Sequence, residues 1–242
     1  MRKLIGKLMG KQNKSEPPKL LRDTRGYKDC TQTIDTLLKH YRPTVLFDIG
    51  AHNGSWSQIL LETLQNDIPI VMFEPQKSHF ENLQKLFGNK TNKFLFNVAL
   101  GSALGKSQIQ GGGASASLLN ASNLQNEIFP GSFNESITET VDVFTLDEII
   151  EMHKLILPDV IKIDVQGFEL DVFKGGQKTL KQAKYLIVEL SFISLYTGQP
   201  SLNDILLFLE KNNFVIVDFG FQWRNNKDEI VQIDAILKNT GI

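Results

Sequence analysis

Along this chain, short unbroken apolar runs alternate with stretches in which apolar residues recur every third or fourth position. The runs at 44–49, 68–73, 93–100, 160–165 and 185–190 are apolar on both faces, as parallel strands buried between helices are. Between them, 55–65, 77–87, 169–176 and 202–211 each carry an apolar stripe on one helical face. This alternation predicts an α/β fold with a seven-stranded, Rossmann-like, doubly wound sheet. Two late strands, 214–221 and 230–237, are expected to close it as a C-terminal antiparallel hairpin.

Local punctuation sets the boundaries. A helix is expected over 29–40, with Ile34, Leu37 and Leu38 as its apolar face and Pro43 ending it before the first strand. Ser55 is a candidate cap for the next helix, and Thr145 with Glu148 has the form of a capping box. Residues 137–144 alternate as an exposed edge strand would, and 108–110 is a candidate short strand. The stretch 111–135 is rich in Gly, Ser, Ala and Asn and reads as a long loop, the kind that covers sites.

Composition narrows the class. With 242 residues, 41% hydrophobic and 22% charged, the chain can bury one sizeable core. A net charge of −1 gives no overall attraction to nucleic acid. The single cysteine, Cys30, excludes an intrachain disulfide or a cysteine-built zinc site and suits the reducing cytoplasm, the expected location. No stretch approaches the roughly 20 apolar residues that cross a bilayer.

Charge is uneven, however. Residues 1–28 hold nine Lys/Arg against two Asp/Glu, so they carry +7 and the rest −8. The expected division is a basic arm, 1–28, interrupted by Glu16-Pro17-Pro18, and a single domain over 29–242. Leu4, Ile5, Leu8 and Met9 share one helical face, so residues 1–12 could touch the inner face of an anionic membrane or stay a solvated start.

The candidate chemistry concentrates after the first strand, which breaks at Asp48 into Ile49-Gly50-Ala51-His52-Asn53-Gly54. Gly50 and Gly54 permit backbone angles closed to other residues and would let a ligand approach the main chain. The helix beyond offers free N–H groups. The spacing is D-x-G-x-x-x-G, not G-x-G-x-x-G, and Asp48 disfavours a phosphate. Glu74 ends the next run, 26 residues after Asp48, where an acid can bind ribose hydroxyls. A cofactor with a ribose, a positive charge and no phosphate fits both, and S-adenosylmethionine is one.

Asp164 and Glu189 end two later strands. Open sheets bind ligands beyond the carboxyl ends of their strands, so Asp48, Glu74, Asp164 and Glu189 are expected in one crevice. Crowded carboxylates each need a cation, a donor or a proton. Lys162 would pair with one of them or cap a solvent edge. Asn97 is either satisfied locally or faces the cofactor. Ser115 and Ser117 are candidate contacts or solvated loop serines. Tyr196, with Phe192, Phe221 and Trp223, would stack on a substrate ring or pack in the core.

Phe47-Asp48-Ile49-Gly50-Ala51-x-x-Gly54, Phe73-Glu74-Pro75, Asn97-Val98-Ala99-Leu100 and Ile161 to Glu169 together resemble the FkbM family of S-adenosylmethionine-dependent methyltransferases, over about residues 44–220. The resemblance implies a class I methyltransferase fold and O-methylation, often of sugars in polysaccharides, lipopolysaccharides or glycosylated natural products. It places Asp48, Gly50, Ala51, Asn53, Gly54, Glu74, Asn97, Val98 and Ala99 against the cofactor. Gln166, Glu169 and Tyr196 are assigned to the acceptor. Many members have Glu where this chain has Gln166, which moves the general base to Asp164, with Glu189 as the second catalytic carboxylate.

A sugar hydroxyl is a poor nucleophile, so a base or a divalent metal must help, and a base contributes ~10²–10⁴-fold. Asp164 and Glu189 offer oxygen ligands, but nothing in their spacing demands Mg2+, and it is not favoured. His52 and His79 are alternative bases. The expected partner is a glycan or another hydroxyl-bearing small molecule. A non-catalytic nucleotide-binding scaffold and an NAD-dependent oxidoreductase remain as alternatives.

Overall fold

A computed structural model describes residues 25–134 and 136–242. The linker at 16–18 and the membrane contact expected of residues 1–12 lie outside the described residues. Helix α1 (Arg25–His40) begins ahead of the expected residue 29 and leads into β1 (Leu46–Ile49). Strands and helices then alternate through α2 (Ser55–Leu64), β2 (Ile70–Phe73), α3 (Lys77–Phe87) and β3 (Lys93–Phe96). A second group follows, with β4 (Ala99–Leu100), β5 (Gly105–Gln110), α4 (Asn123–Ile128), β6 (Thr138–Phe144) and α5 (Leu146–His153). The alternation resumes with β7 (Val160–Ile163), α6 (Glu169–Gly175), α7 (Gln177–Leu180), β8 (Tyr185–Ser191) and α8 (Leu202–Lys211). Strands β9 (Phe214–Arg224) and β10 (Ile230–Asn239) close the chain.

The large sheet has the order β3-β2-β1-β7-β8-β10-β9. Its first five strands are parallel, and β10 runs antiparallel to both β8 and β9. This is the expected seven-stranded doubly wound sheet, with the terminal hairpin counted among the seven. Strand order reverses between β1 and β7, so a ligand crevice belongs beyond their carboxyl ends.

Side-chain alternation divides the core between the two faces of this sheet. Phe47, Ile49, Phe73, Ile161 and Ile163 join Val172 and Phe173 of α6 on one face. Leu46, Ile70, Met72 and Val160 meet Ile34, Leu60 and Leu83 from α1, α2 and α3 on the other. Each such fully buried side chain is worth ~1.5–3 kcal/mol.

Four local expectations change. The run 93–100 splits at Asn97, whose amide donates to the carbonyls of Glu74 and Pro75, both at 2.9 Å. Its second half, β4, leaves for a small sheet of order β4-β6-β5. There β6 is the central strand and not an edge, because its alternation reports one solvated face and not a missing neighbour. Helix α2 is capped by Gly54, not Ser55; Asn53 Oδ1 accepts the Ser55 N–H at 3.1 Å. The long loop contains α4, which starts where the Ser122 hydroxyl accepts the Gln125 N–H. The capping box at Thr145 and Glu148 forms as expected.

Candidate active site

The turn after β1 is shaped by contact with the turn after β7. Gly50 has φ +76°, and a Cβ there would fall 1.9 Å from the Asp164 carbonyl oxygen. Gly54 has φ +81°, and its Cβ would meet Leu83 and Phe87 at 2.7 Å. The room these glycines leave is therefore filled by the protein's own atoms and not by a ligand. Gly54 does not line the crevice.

Asp48 does not line it either. Alternation puts its side chain on the face of Leu46, under the turn, where it is fully buried. Ser57 Oγ donates to Asp48 Oδ2 at 2.7 Å, and Lys162 Nζ lies 3.3 Å from Oδ1. Lys162 also donates to the Gly50 carbonyl at 2.8 Å and stands 3.7 Å from Asp164 Oδ2. Burial opposes its charge, but Asp48 and Asp164 outweigh that and raise its pKa. Lys162 thus pairs with acids beneath the turn and caps no solvent edge.

A cavity of about 490 Å3 opens beyond β1, β2 and β7. Gly50, Ala51, Asn53, Glu74, Val98 and Ala99 line it, six of the nine residues expected at the cofactor. The buried Glu74 accepts the His52 N–H on Oε2 and the Gln76 N–H on Oε1, each at 2.8 Å. Burial still pushes its carboxyl up to about 7. Each oxygen keeps a lone pair for a hydroxyl donor. Val98, Leu100, Ile109 and Phe168 add an apolar wall. A vicinal diol and a flat base suit these surroundings, so the residues fit an S-adenosyl group. Asn97 is absent from the lining, its amide being spent on the Glu74-Pro75 turn. His52 also lines the cavity, with its ring tilted against that of His79, centroids 4.0 Å apart. Burial, then the neighbouring His79, lower its pKa to about 4, which makes it a weak base.

A second cavity, about 310 Å3, adjoins the first over β7, β8 and β10. Lys162, Asp164 and Gln166 line both, as do Trp56 and Ala114. Glu189 lines only the second, together with Asp29, Asp234, Phe221 and Trp223. Of the four acids expected in one crevice, Asp164 stands at the junction, Glu74 and Glu189 lie to either side, and Asp48 lies below. Sequence reasoning missed Asp29 and Asp234; a carboxylate inside the apolar strand 230–239 was the available signal for the second.

Gln166 organises the junction. Its Nε2 donates to Asp164 Oδ1 at 2.7 Å and to Glu189 Oε2 at 2.9 Å, while Oε1 lies 2.9 Å from the Tyr196 hydroxyl. Gln232 Nε2 donates to the same Glu189 oxygen at 2.6 Å. Burial, then the charge of Asp164, hold the Glu189 carboxyl well above the ordinary range.

Two residues assigned to the acceptor stand elsewhere. Tyr196 is buried against Phe133, lines neither cavity, and reaches the site only through its hydroxyl, which is also 2.9 Å from the Ser115 carbonyl. The Glu169 carboxylate turns back to accept the N–H groups of Val165 (3.3 Å) and Gly167 (3.1 Å), closing the turn before α6. Phe192 is exposed and lines neither cavity. The long loop does cover the site: residues 113–118 wall the cavities, and Ser117 Oγ donates to the Gln166 carbonyl at 2.7 Å.

Among the described residues, no group of three His, Cys, Asp or Glu side chains is placed to hold a metal ion. Among them, too, no helix is long and apolar enough to cross a membrane.

Comparison with known proteins gives the family. Residues 48–216 match the methyltransferase FkbM domain. The 2-O-methyltransferase NoeI of Sinorhizobium fredii (strain NBRC 101917 / NGR234) is 30% identical over 218 residues, 86% of this chain and 84% of NoeI. The hexuronic acid methyltransferase AglP of Haloferax volcanii is 26% identical over 171 residues, 70% of this chain and 64% of AglP. A crystal structure of methyltransferase FkbM from Methylobacillus flagellatus KT superposes with a TM-score of 0.51 at 15% identity, over 83% of this chain and 45% of that one. At that identity the likeness is one of fold.

Proposed function

Because the chain belongs to the FkbM family of methyltransferases, we propose that it methylates a hydroxyl of a sugar, with S-adenosylmethionine as the donor. The name of NoeI supports oxygen as the methylated atom, and that of AglP supports a sugar as the acceptor. The observation that carries the reading is the meeting of two cavities at Asp164, one suited to a nucleoside and the other holding acids and aromatic rings.

The bound cofactor supplies a methyl group on a positively charged sulfur. Glu74 would take the ribose hydroxyls, and Val98 and Ala99 would stand beside the base. Backbone and side-chain groups of 50–53 would hold the remaining, methionine part of the cofactor. Holding acceptor and donor in line is worth up to ~7–11 kcal/mol. Asp164, with 36% of its side chain exposed, reaches the acceptor and takes the hydroxyl proton. Gln166 fixes Oδ1 of that carboxylate, and Lys162 holds a positive charge near Oδ2. Residues 113–118 wall the junction. Glu189 lies on the acceptor side as a hydrogen-bonding carboxyl. No step requires a metal ion.

The test is transfer of a 13C-labelled methyl group from the cofactor to purified glycans, read by mass spectrometry, with S-adenosylhomocysteine affinity measured by calorimetry. Tight binding with methyl gain on a sugar oxygen supports the reading. Binding without transfer to any glycan would make the chain a scaffold, and NADH bound in place of S-adenosylhomocysteine would make it an oxidoreductase.

A further inference from the structure

We infer that the second cavity admits a sugar without acidic groups and turns away uronic, phosphorylated and sulfated sugars. The inference rests on reading that cavity as the acceptor site. Its walls carry four carboxyl groups, from Asp29, Asp164, Glu189 and Asp234. Lys162 is the one Lys or Arg among the described residues that line it. That ammonium is already engaged by Asp48 at 3.3 Å and the Gly50 carbonyl at 2.8 Å. Among the described residues, an anion entering the cavity finds no uncommitted cation.

The carboxyl oxygens of Asp29, Asp164, Glu189 and Asp234 offer acceptors to the cavity, and sugar hydroxyls and ammonium groups are donors. Phe221 and Trp223 complete the wall, edge to face at 4.9 Å, with Phe129 edge-on to Trp223 at 6.1 Å. These rings offer apolar surface for the C–H face of a sugar ring. Burial already raises the carboxyls of Glu189 and Asp234, so another negative charge would demand further proton uptake at neutral pH. The inferred acceptor thus differs in charge from the hexuronic acid for which one relative is named.

The experiment is saturation-transfer NMR of the full chain loaded with S-adenosylhomocysteine, using methyl glucoside, methyl glucosaminide and methyl glucuronide at pH 7.5. The first two should bind, and the glucuronide should bind at least ~10-fold more weakly, as like-charge contacts require. The double variant E189Q/D234N, and D234N alone should the pair fail to fold, should narrow that gap. Glucuronide binding as tight as glucoside would overturn the selectivity while leaving sugar methylation in place. Binding of none of the three, with S-adenosylhomocysteine bound, would remove the cavity as a sugar site, and the selectivity with it.

Discussion

The side-chain amide of Gln166 holds the carboxylate of Asp164, Nε2 to Oδ1 at 2.7 Å. The same nitrogen reaches Glu189, and the other end of the amide meets the Tyr196 hydroxyl, so one side chain ties the proposed base to the acceptor wall and, through that hydroxyl, to the Ser115 carbonyl of the covering loop. Gln166→Leu removes one hydrogen bond from each of these groups, which keep Lys162, Gln232 and the Ser115 carbonyl as their other neighbours, so each loss costs ~0.5–1.5 kcal/mol in folding stability. A lower urea midpoint together with slower methyl transfer is expected. An unchanged midpoint would show that the amide holds nothing in place.

Asp164→Asn tests the base directly. The substitution keeps an oxygen for the Gln166 amide and leaves Lys162 its contacts with Asp48 and Gly50, so the fold should survive. Turnover should fall ~10²–10⁴-fold, the usual weight of a general base, with little change in S-adenosylhomocysteine affinity. Equal losses in both would point to a cofactor ligand instead.

Glu74→Gln should do the reverse. The amide keeps the shape but sets an NH2 against the N–H of His52 or Gln76, and it weakens the acceptor offered to the ribose. A charged acceptor is worth ~1.5–3 kcal/mol, so the dissociation constant for S-adenosylhomocysteine should rise ~10–100-fold by calorimetry. An unchanged constant would remove Glu74 from the ribose site.

Buried carboxyls set the pH profile of stability. Burial raises Glu74, Glu169 and Asp234 to about 7, so the native protein holds protons that the unfolded chain has released. Stability from these groups is complete below the ordinary carboxylate range and is lost as pH rises through about 7. His52, lowered to about 4 from 6.5, works in the opposite sense below 6.5, so the decline is cleanest above that value. Thermal melts of the cofactor-free protein should fall between pH 6.5 and 8. Glu169→Gln, which keeps an acceptor for the turn, should flatten the slope, and an identical slope would contradict a shared proton.

Gly50→Ala places a methyl group 1.9 Å from the Asp164 carbonyl, at a φ of +76°. The left-handed backbone alone costs ~1–3 kcal/mol, and overlap with main chain adds to it. The variant should unfold at much lower denaturant and bind no S-adenosylhomocysteine. Wild-type stability would mean the two turns are not packed together.

Much of the site was legible because strand ends are legible. Glu74, Asp164 and Glu189 close apolar runs, and the topology of a doubly wound sheet brings such ends to one edge. The misplaced residues share a different origin. Glu169 and Asn97 sit beside the site in sequence, but their side chains complete backbone turns, a use that depends on which N–H and carbonyl groups the fold leaves open.

By itself the sequence determined the α/β alternation, the parallel order of strands and helices, the Thr145 cap and the acids at three strand tips. Periodicity does this because it states which face of its own element a residue occupies. Only the tertiary structure decided what stands opposite that face: Lys162 and Ser57 around Asp48, the Asp164 carbonyl against Gly50, Phe133 over Tyr196. It also decided the second cavity, where α1, early in the chain, meets β8, β9 and β10, late in it, once the sheet is wound.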